Sequence, residues 1–441
     1  MSGPLSRPKI KINVDLNKLN KKTGNLGHVC IVGAGIVGAA SAYALSKAGW
    51  SVTIVDQESG PAHQTSQANG GQLSYSYVEP LATPYALKRI PFWLLSKKSP
   101  IKWAPQFSML HFRWLLAFVL ACNTKQVKRS TVTLLALSAL SRDVLHQWFG
   151  ETKVNLDEIG FRRSGKLVIF RDNYQLKAVK EQMAFQVQHG CVQKILDKQG
   201  CLLAEPALRQ DPGPIAFGVY TESEEVVNCA KLTELLVAES GASTIFGKRV
   251  MDFNIAQGKI QSLELNDGTL IKADQFVLSG GNGVNGLLEK LGRSLLIEPI
   301  KGYSIDFAIK HREAVPSTCI TDQGRKVVFA RIGDRFRVAG FAEIVGDALE
   351  IPQDRIDSLA ADTEALFPGA IDQNDAIPWA GLRPASPTAC PYIGNIEHEN
   401  LWVNAGHGAL GLTLAAGSAK VLAFMMVGEV PPVNMDNLSC R

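Results

Sequence analysis

An α/β chain of two domains, one of them assembled from separate segments, is the fold class this sequence predicts. Three observations predict it. The length of 441 residues exceeds the roughly 250–300 residues at which a single core stops growing. An apolar run, a glycine-rich turn, an apolar helix and a second apolar run follow one another within residues 28–56. Later stretches that alternate polar and apolar residues read as antiparallel strands of a different sheet.

Composition narrows the class. With 46% hydrophobic and 20% charged residues, the chain lies outside the range of disordered sequences. No uncharged apolar run reaches the ~18 residues of a membrane-spanning helix. The formal charge of +5 resides in residues 1–27, where Arg7, Lys9, Lys11, Lys18, Lys21 and Lys22 face only Asp15. The neutral remainder argues against a nucleic-acid-binding surface. The tail 1–27 lacks the apolar core of an export signal. It reads either as a disordered, solvated extension or as a weak contact with an anionic membrane surface, worth on the order of 1 kcal/mol per basic residue. Cys30, Cys122, Cys191, Cys201, Cys229, Cys319, Cys390 and Cys440 form no C-x-x-C pair, and the histidines show no ligand spacing. Neither a disulfide framework nor a metal site is expected, and reduced thiols in a cytoplasmic setting are the default.

His28 to Val32 reads as a buried parallel strand. Gly33-Ala34-Gly35-Ile36-Val37-Gly38 follows, then a helix through Ala48 that Gly49 stops. Ser51 to Val55 is the second strand, ending in Asp56. This is a Rossmann-like dinucleotide unit: the first glycine permits the sharp turn, the second lets backbone approach a pyrophosphate, and Gly38 lets helix and strand pack closely. Helix amides and the macrodipole would hold the phosphates, and Asp56 would accept from a ribose diol. Candidate cofactor contacts are Val29, Cys30, Ile31, Val32, Gly33, Ala34, Gly35, Ile36, Val37, Gly38, Ala39 and Asp56. The motif alone does not separate NAD from FAD.

The next stretch favours a flavin. Thr65 to Gln72 is polar and glycine-rich, where an NAD enzyme would normally proceed to another helix and strand. A flavin ring needs such a loop, because its N5–O4–N3–O2 edge carries donors and acceptors for backbone groups. Ser66, Asn69, Gly70, Gly71 and Gln72 are the candidates there.

Gln275 to Ser279 followed by Gly280-Gly281, and Leu401 to Ala405 followed by Gly406-His407-Gly408 and a helix from about Thr413 to Val427, read as further pieces of the same sheet. Phe217–Val227 and Lys326–Ile344 alternate and suggest an inserted substrate domain. Phe107 to Cys122 is the most hydrophobic window; it reads either as a buried helix or as a surface helix that docks on a bilayer.

The opening unit, the Ser66–Gln72 stretch, Lys301-Gly302-Tyr303-Ser304, Arg337 to Gly346, Gly381-Leu382-Arg383-Pro384 and Gly406 to Gly411 occur in the order of one family. From His28 to about Pro432 the chain resembles the small, catalytic subunits of bacterial D-amino acid dehydrogenases, among the D-amino acid oxidase-like flavoproteins. The resemblance implies noncovalent FAD, with Val250, Gly280, Gly406 and Gly408 as further cofactor contacts. It implies oxidation of D-amino acids to 2-oxo acids and ammonia by hydride transfer from Cα to flavin N5, with electrons passed to a membrane quinone. Arg383 matches the arginine that holds the substrate carboxylate. Tyr303 is a second candidate at that carboxylate, and His407 stands beside the flavin pyrimidine, where positive helix-end charge would stabilise the reduced ring. The expected division is 28–100, 222–290 and 376–432 for FAD, 101–221 and 291–375 for substrate, with a short tail at 433–441. Thr388-Ala389 and Glu222-Ser223-Glu224-Glu225 depart from the family pattern, which bears on substrate range. Gly381 stands where sarcosine oxidases carry their flavin-linked cysteine, so covalent attachment is not expected. An imino-acid dehydrogenase for D-proline or D-hydroxyproline, a peroxide-forming oxidase and a non-catalytic flavin subunit are the competing readings.

Overall fold

Strand His28–Val32 lies inside a six-stranded sheet, hydrogen-bonded in parallel to Ser51–Asp56 on one side and Gln275–Leu278 on the other. Ser243–Phe246 and His398–Ala405 extend the parallel sheet, and Tyr392–Ile396 closes it antiparallel. The computed structural model describes residues 25–78, 80–88, 101–104, 106–152, 154–211 and 213–440. All but the last three residues of the basic tail expected at 1–27 therefore lie outside the described residues. Val29, Cys30 and Ile31 have no exposed surface, as a strand covered on both faces requires.

Helix α1 (Ile36–Lys47) follows the glycine turn and ends at Ala48, with Gly49 at φ +102° turning the chain away. Helices α2 (Met109–Ala121), α3 (Thr124–Thr152) and α4 (Gly411–Met426) are the other helices that shape the site. α3 falls in the stretch assigned to substrate, yet Leu134, Leu137, Leu140, Val144 and Trp148 join the same core as α1 and α4. Its crossing with α4 is close: a Cβ on Gly417 would lie 2.6 Å from the Leu137 carbonyl oxygen. The final residues also belong to this core, since Leu438 is fully buried and its carbonyl accepts from the Ile393 amide at 2.7 Å. Gly408–Met426 is the one described helix long and apolar enough to cross a membrane, and 72% of its apolar window is buried inside the protein.

A second sheet of nine strands runs in the order Ile371–Ala385, Glu298–Ile309, Arg335–Ile344, Val327–Ile332, Cys319–Asp322, Lys166–Phe170, Phe217–Thr221, Lys194–Leu196, with Ile101–Trp103 beside Arg335–Ile344. The sequence suggested an antiparallel sheet. The sheet is mixed, because Lys166–Phe170 pairs in parallel with Cys319–Asp322, and Ile101–Trp103 in parallel with Arg335–Ile344. Tyr303, Phe307, Phe329, Phe336 and Phe367 fill its core.

α2 covers most of the Phe107–Cys122 window and is only partly buried. Only a stripe of His111, Trp114 and Ala121 is buried, at the spacing of one helix face. Trp114 Nε1 donates to the Ala385 carbonyl at 2.8 Å, and His111 Nδ1 pairs with Glu298 at 2.8 Å. The opposite face exposes Met109, Phe112, Leu116 and Leu120, so the helix is not fully buried.

Gly38 marks where helix and strand meet most tightly, since a Cβ there would stand 1.9 Å from the Gly33 carbonyl oxygen. Gly38→Ala is expected to destabilise the protein by about 1–3 kcal/mol or more, seen as a lower urea midpoint. An unchanged midpoint would mean that the turn yields freely.

Candidate functional site

A half-open cavity of about 2440 Å³ lies between the two sheets. That is more than twice the ~300–1,000 Å³ of sites for drug-sized ligands, so an extended ligand and a second small molecule fit together. Its floor is the first glycine turn. Gly33 has φ +112°, and a Cβ on it would meet the Gly280 backbone at 2.8 Å. The two glycine turns thus touch, which brings Gly280 to the wall beside Gly33 and Gly35.

α1 begins at Gly35 with no side-chain cap and no acidic residue in its first turn. Its positive end therefore faces the cavity, as an anion site requires. Ser66 Oγ accepts from the Ile36 amide at 3.0 Å. Asp56 accepts from the Ala34 amide at 2.6 Å and the Glu58 amide at 2.9 Å. Burial raises its pKa, partly offset by those bonds. A carboxylate offers about four lone-pair sites, so two remain for ligand hydroxyls.

Residues 65–72 form a bridge between the sheets. Thr65 Oγ1 donates to the Leu382 carbonyl at 2.8 Å, and Asn282 Nδ2 donates to the same carbonyl at 3.0 Å. Ser304 Oγ donates to the Ala68 carbonyl at 2.7 Å, and Arg337 Nη1 to the Asn69 carbonyl at 2.9 Å. Gly71 has φ +65°, and a Cβ there would lie 2.3 Å from Ile332 Cδ1. Only glycine fits.

Arg383 lies on the cavity wall across Gly302, where any Cβ would come within 2.3 Å of its guanidinium. Nη1 donates to the Phe341 carbonyl at 2.8 Å. Phe341 has φ +66°, uncommon for a residue with a side chain, at the bulge opposite Lys301–Tyr303. Arg383 forms no ion pair among the described residues. Burial alone lowers its pKa, to about 10, so it stays cationic at neutral pH.

Most residues expected to contact cofactor do line the cavity: Val32, Gly33, Gly35, Ile36, Val37, Asp56, Ser66, Asn69, Gly70, Gly71, Gln72, Val250, Gly280, Gly406 and Gly408. Val29, Cys30, Ile31, Ala34, Gly38 and Ala39 do not. The strand residues point into the sheet core, Gly38 and Ala39 pack helix on strand, and Ala34 meets Asp56 only through its amide. Tyr303 lines the cavity, but its hydroxyl donates to Glu343 Oε2 at 2.7 Å, so it is not free for a substrate carboxylate. His407 bonds through Nε2 to Ser418 Oγ at 3.0 Å. Ser418 gives its own proton to the Leu414 carbonyl, so the imidazole is the donor. Burial pulls its pKa down to about 3; the ring is neutral, and cationic stabilisation at this turn falls to the backbone. Thr65, Asn282, Ser304 and Arg337 were missed by sequence reasoning, although Thr65, Ser304 and Arg337 lie inside stretches already singled out.

A dinucleotide fits this wall. Ser279 Oγ, Asn282 Oδ1 and Asn404 Oδ1 are buried there without partners, and buried polar atoms are normally satisfied. Comparison with known proteins defines the class: the chain belongs to the DAO family of FAD-dependent oxidoreductases, whose model matches residues 28–425. Among individual proteins it is 38% identical over 427 residues to D-amino acid dehydrogenase 2 of Ralstonia nicotianae, covering 92% of this chain and 97% of that protein. It is 39% identical over 408 residues to D-amino acid dehydrogenase 2 of Pseudomonas aeruginosa, covering 92% and 95%. Glycine oxidase from Bacillus cereus has the same fold, with a TM-score of 0.71 at 20% identity over 94% of this chain and 99% of that one. L-proline dehydrogenase from P. horikoshii also scores 0.71, at 15% identity over 92% and 95%.

His407 carries a pH signature. Its folded pKa of about 3 lies below the ~6.5 of free histidine. Between those values the unfolded chain binds the extra proton, so stability falls as pH drops through that window. His407→Gln removes this contribution. Its stability should fall less steeply, by up to about 1.4 kcal/mol per pH unit, in urea unfolding between about pH 4 and pH 7. Equal slopes in the two proteins would show that His407 does not titrate this way.

Proposed function

We propose that the protein oxidises D-amino acids to 2-oxo acids and ammonia. Arg383 supports this most directly: a guanidinium on the wall of the cavity, bonded to a carbonyl and to no acid, is a receptor for a planar carboxylate. The relatives named D-amino acid dehydrogenase agree in reaction class.

FAD, when bound, supplies a two-electron acceptor for the substrate Cα–H. The chain supplies position and charge. The amides of Gly35 and Val37 would hold the pyrophosphate and Asp56 the ribose. The 66–72 loop would meet the ring edge, and the turn at Gly406–Gly408 would direct its positive helix end at the pyrimidine. Arg383 grips the carboxylate through two parallel bonds, which fixes the face of Cα presented for reaction. With a neutral amine entering, no side-chain base is required.

A bilayer quinone is the acceptor we propose beyond FAD, reached through α2. Leu115, Phe118 and Val119 of α2 line the cavity, while Phe112, Leu116 and Leu120 are exposed on the same helix. Residues 80–142 contain no Asp or Glu but include Lys102, Arg113, Lys125 and Lys128. An apolar face with basic flanks suits an anionic leaflet.

Arg383→Lys keeps the charge but loses the bidentate fork. It should lower kcat/KM about tenfold or more through KM while FAD stays bound; normal kinetics would remove Arg383 from the site. Anaerobic mixing of holoprotein with D-alanine should bleach the flavin, and an artificial electron acceptor should restore the colour. Bleaching by L-isomers only would overturn the stereochemistry, and equal turnover with oxygen alone would favour an oxidase. Phe112→Glu combined with Leu116→Glu should abolish co-sedimentation with vesicles containing anionic lipid. Undiminished sedimentation would exclude α2 as the docking element.

A further inference from the structure

The nine-stranded sheet carries a second buried cation on the face that lines the cavity. Lys166 is 3% exposed. Its Nζ donates to Gln72 Oε1 at 2.9 Å and Ser74 Oγ at 3.0 Å, and lies 4.3 Å from the centre of the Tyr77 ring. An ammonium has three donors, and these two bonds leave one. Burial lowers the Lys166 pKa, and Glu224, which is not in ion-pair contact with it, partly offsets this through space. Glu224 accepts instead from the Ser76 amide at 2.7 Å, and its Oε2 has no partner.

Thr321 stands on the neighbouring strand. Cys319–Asp322 pairs in parallel with Lys166–Phe170, with Thr321 opposite Val168. Lys166 and Val168 are two residues apart and share a sheet face, so Thr321 shares it too. Lys166 and Thr321 both line the cavity. Thr321 is 5% exposed, and its hydroxyl is buried without a partner.

Isolated buried charges and unpaired hydroxyls are costly. Here both occur on the wall of a ligand cavity, where a ligand can satisfy them. The 66–72 loop crosses the sheet face between this corner and Arg383: Ala68 is held by Ser304, Asn69 by Arg337 and Gln72 by Lys166. Arg383 and Lys166 line the same cavity from the strands Ile371–Ala385 and Lys166–Phe170 of one sheet, with the loop between them.

We propose that Lys166 and Thr321, with Gln72 and Ser74 orienting the ammonium, form the side-chain subsite of this cavity and select D-amino acids whose side chain ends in a carboxylate. The subsite rests on the D-amino acid oxidation proposed above. Arg383 takes the α-carboxylate, and Lys166 takes the distal one.

Anaerobic flavin reduction of the full-length, FAD-loaded protein tests this with D-glutamate, D-norvaline (the apolar chain of similar length) and D-alanine. The apparent second-order rate constant of reduction should be at least about tenfold higher for D-glutamate than for D-norvaline. Lys166→Met should lower that ratio about tenfold or more, and Thr321→Val about threefold. Bleaching by D-alanine without preference for D-glutamate would overturn the subsite and leave the oxidation standing. No bleaching by any D-amino acid would overturn both. A parallel loss for all substrates in both variants would assign Lys166 to holding the flavin loop and end the proposal. Should Lys166→Met fail to retain FAD, the ratio measured in Thr321→Val decides alone.

Discussion

The site depends on one loop held from both sides. Residues 65–72 receive the Ile36 amide from the parallel sheet's first helix and reach Leu382, Ser304, Arg337 and Lys166 on the other sheet. Neither sheet alone fixes the cavity. The loop couples the glycine turn that would bind phosphate to the strands that carry Arg383 and Lys166. Precision at the reacting centre thus derives from hydrogen bonds between residues far apart in sequence, made by the short Thr65, Ser66 and Ser304 side chains together with the long Arg337 and Lys166.

Charge is distributed with equal economy. The helix pole at Gly35 has no acidic residue in its first turn, only the neutral Ser66 hydroxyl meeting the Ile36 amide, and Arg383 has no acid partner among the described residues. Where a third cation was available, at His407, burial keeps the ring neutral. Permanent charge faces the ligand space, and the titratable ring is withdrawn from it. Elsewhere the second sheet pairs its buried charges internally, as with Arg171 between Asp211 and Asp322 at 2.6 Å and 2.5 Å. That contrast makes an unpaired cation on the cavity wall informative.

Local signals were readable and distant ones were not. The strand–turn–helix unit at 28–56 was legible because strand burial, glycine placement and the helix stop at Gly49 are all decided within a few residues. The later strands at 275–278 and 401–405 were legible for the same reason. α3 was not assigned to the nucleotide-sheet core, since its apolar face does not say which sheet it covers. Tyr303 looked available because its partner, Glu343, lies 40 residues away. Lys166 gave no signal, as its neighbours Gln72 and Ser74 lie more than 90 residues earlier. The strand residues Val29 to Ile31 do not line the cavity: adjacency to a binding turn is not contact, because Val29 and Ile31 point into the core shared with α1 and Cys30 into the core on the other face of the sheet.

The order of strands in the parallel sheet bears on how the chain matures. His28–Val32 leaves the ribosome early, but its neighbour Gln275–Leu278 is made some 250 residues later, and His398–Ala405 and α4 follow near the end. During translation the first βαβ unit therefore waits with one edge unpaired and its helix uncovered, a state prone to misassociation. The wall that would receive a flavin is therefore complete only once the turn at Gly406–Gly408 has joined the sheet.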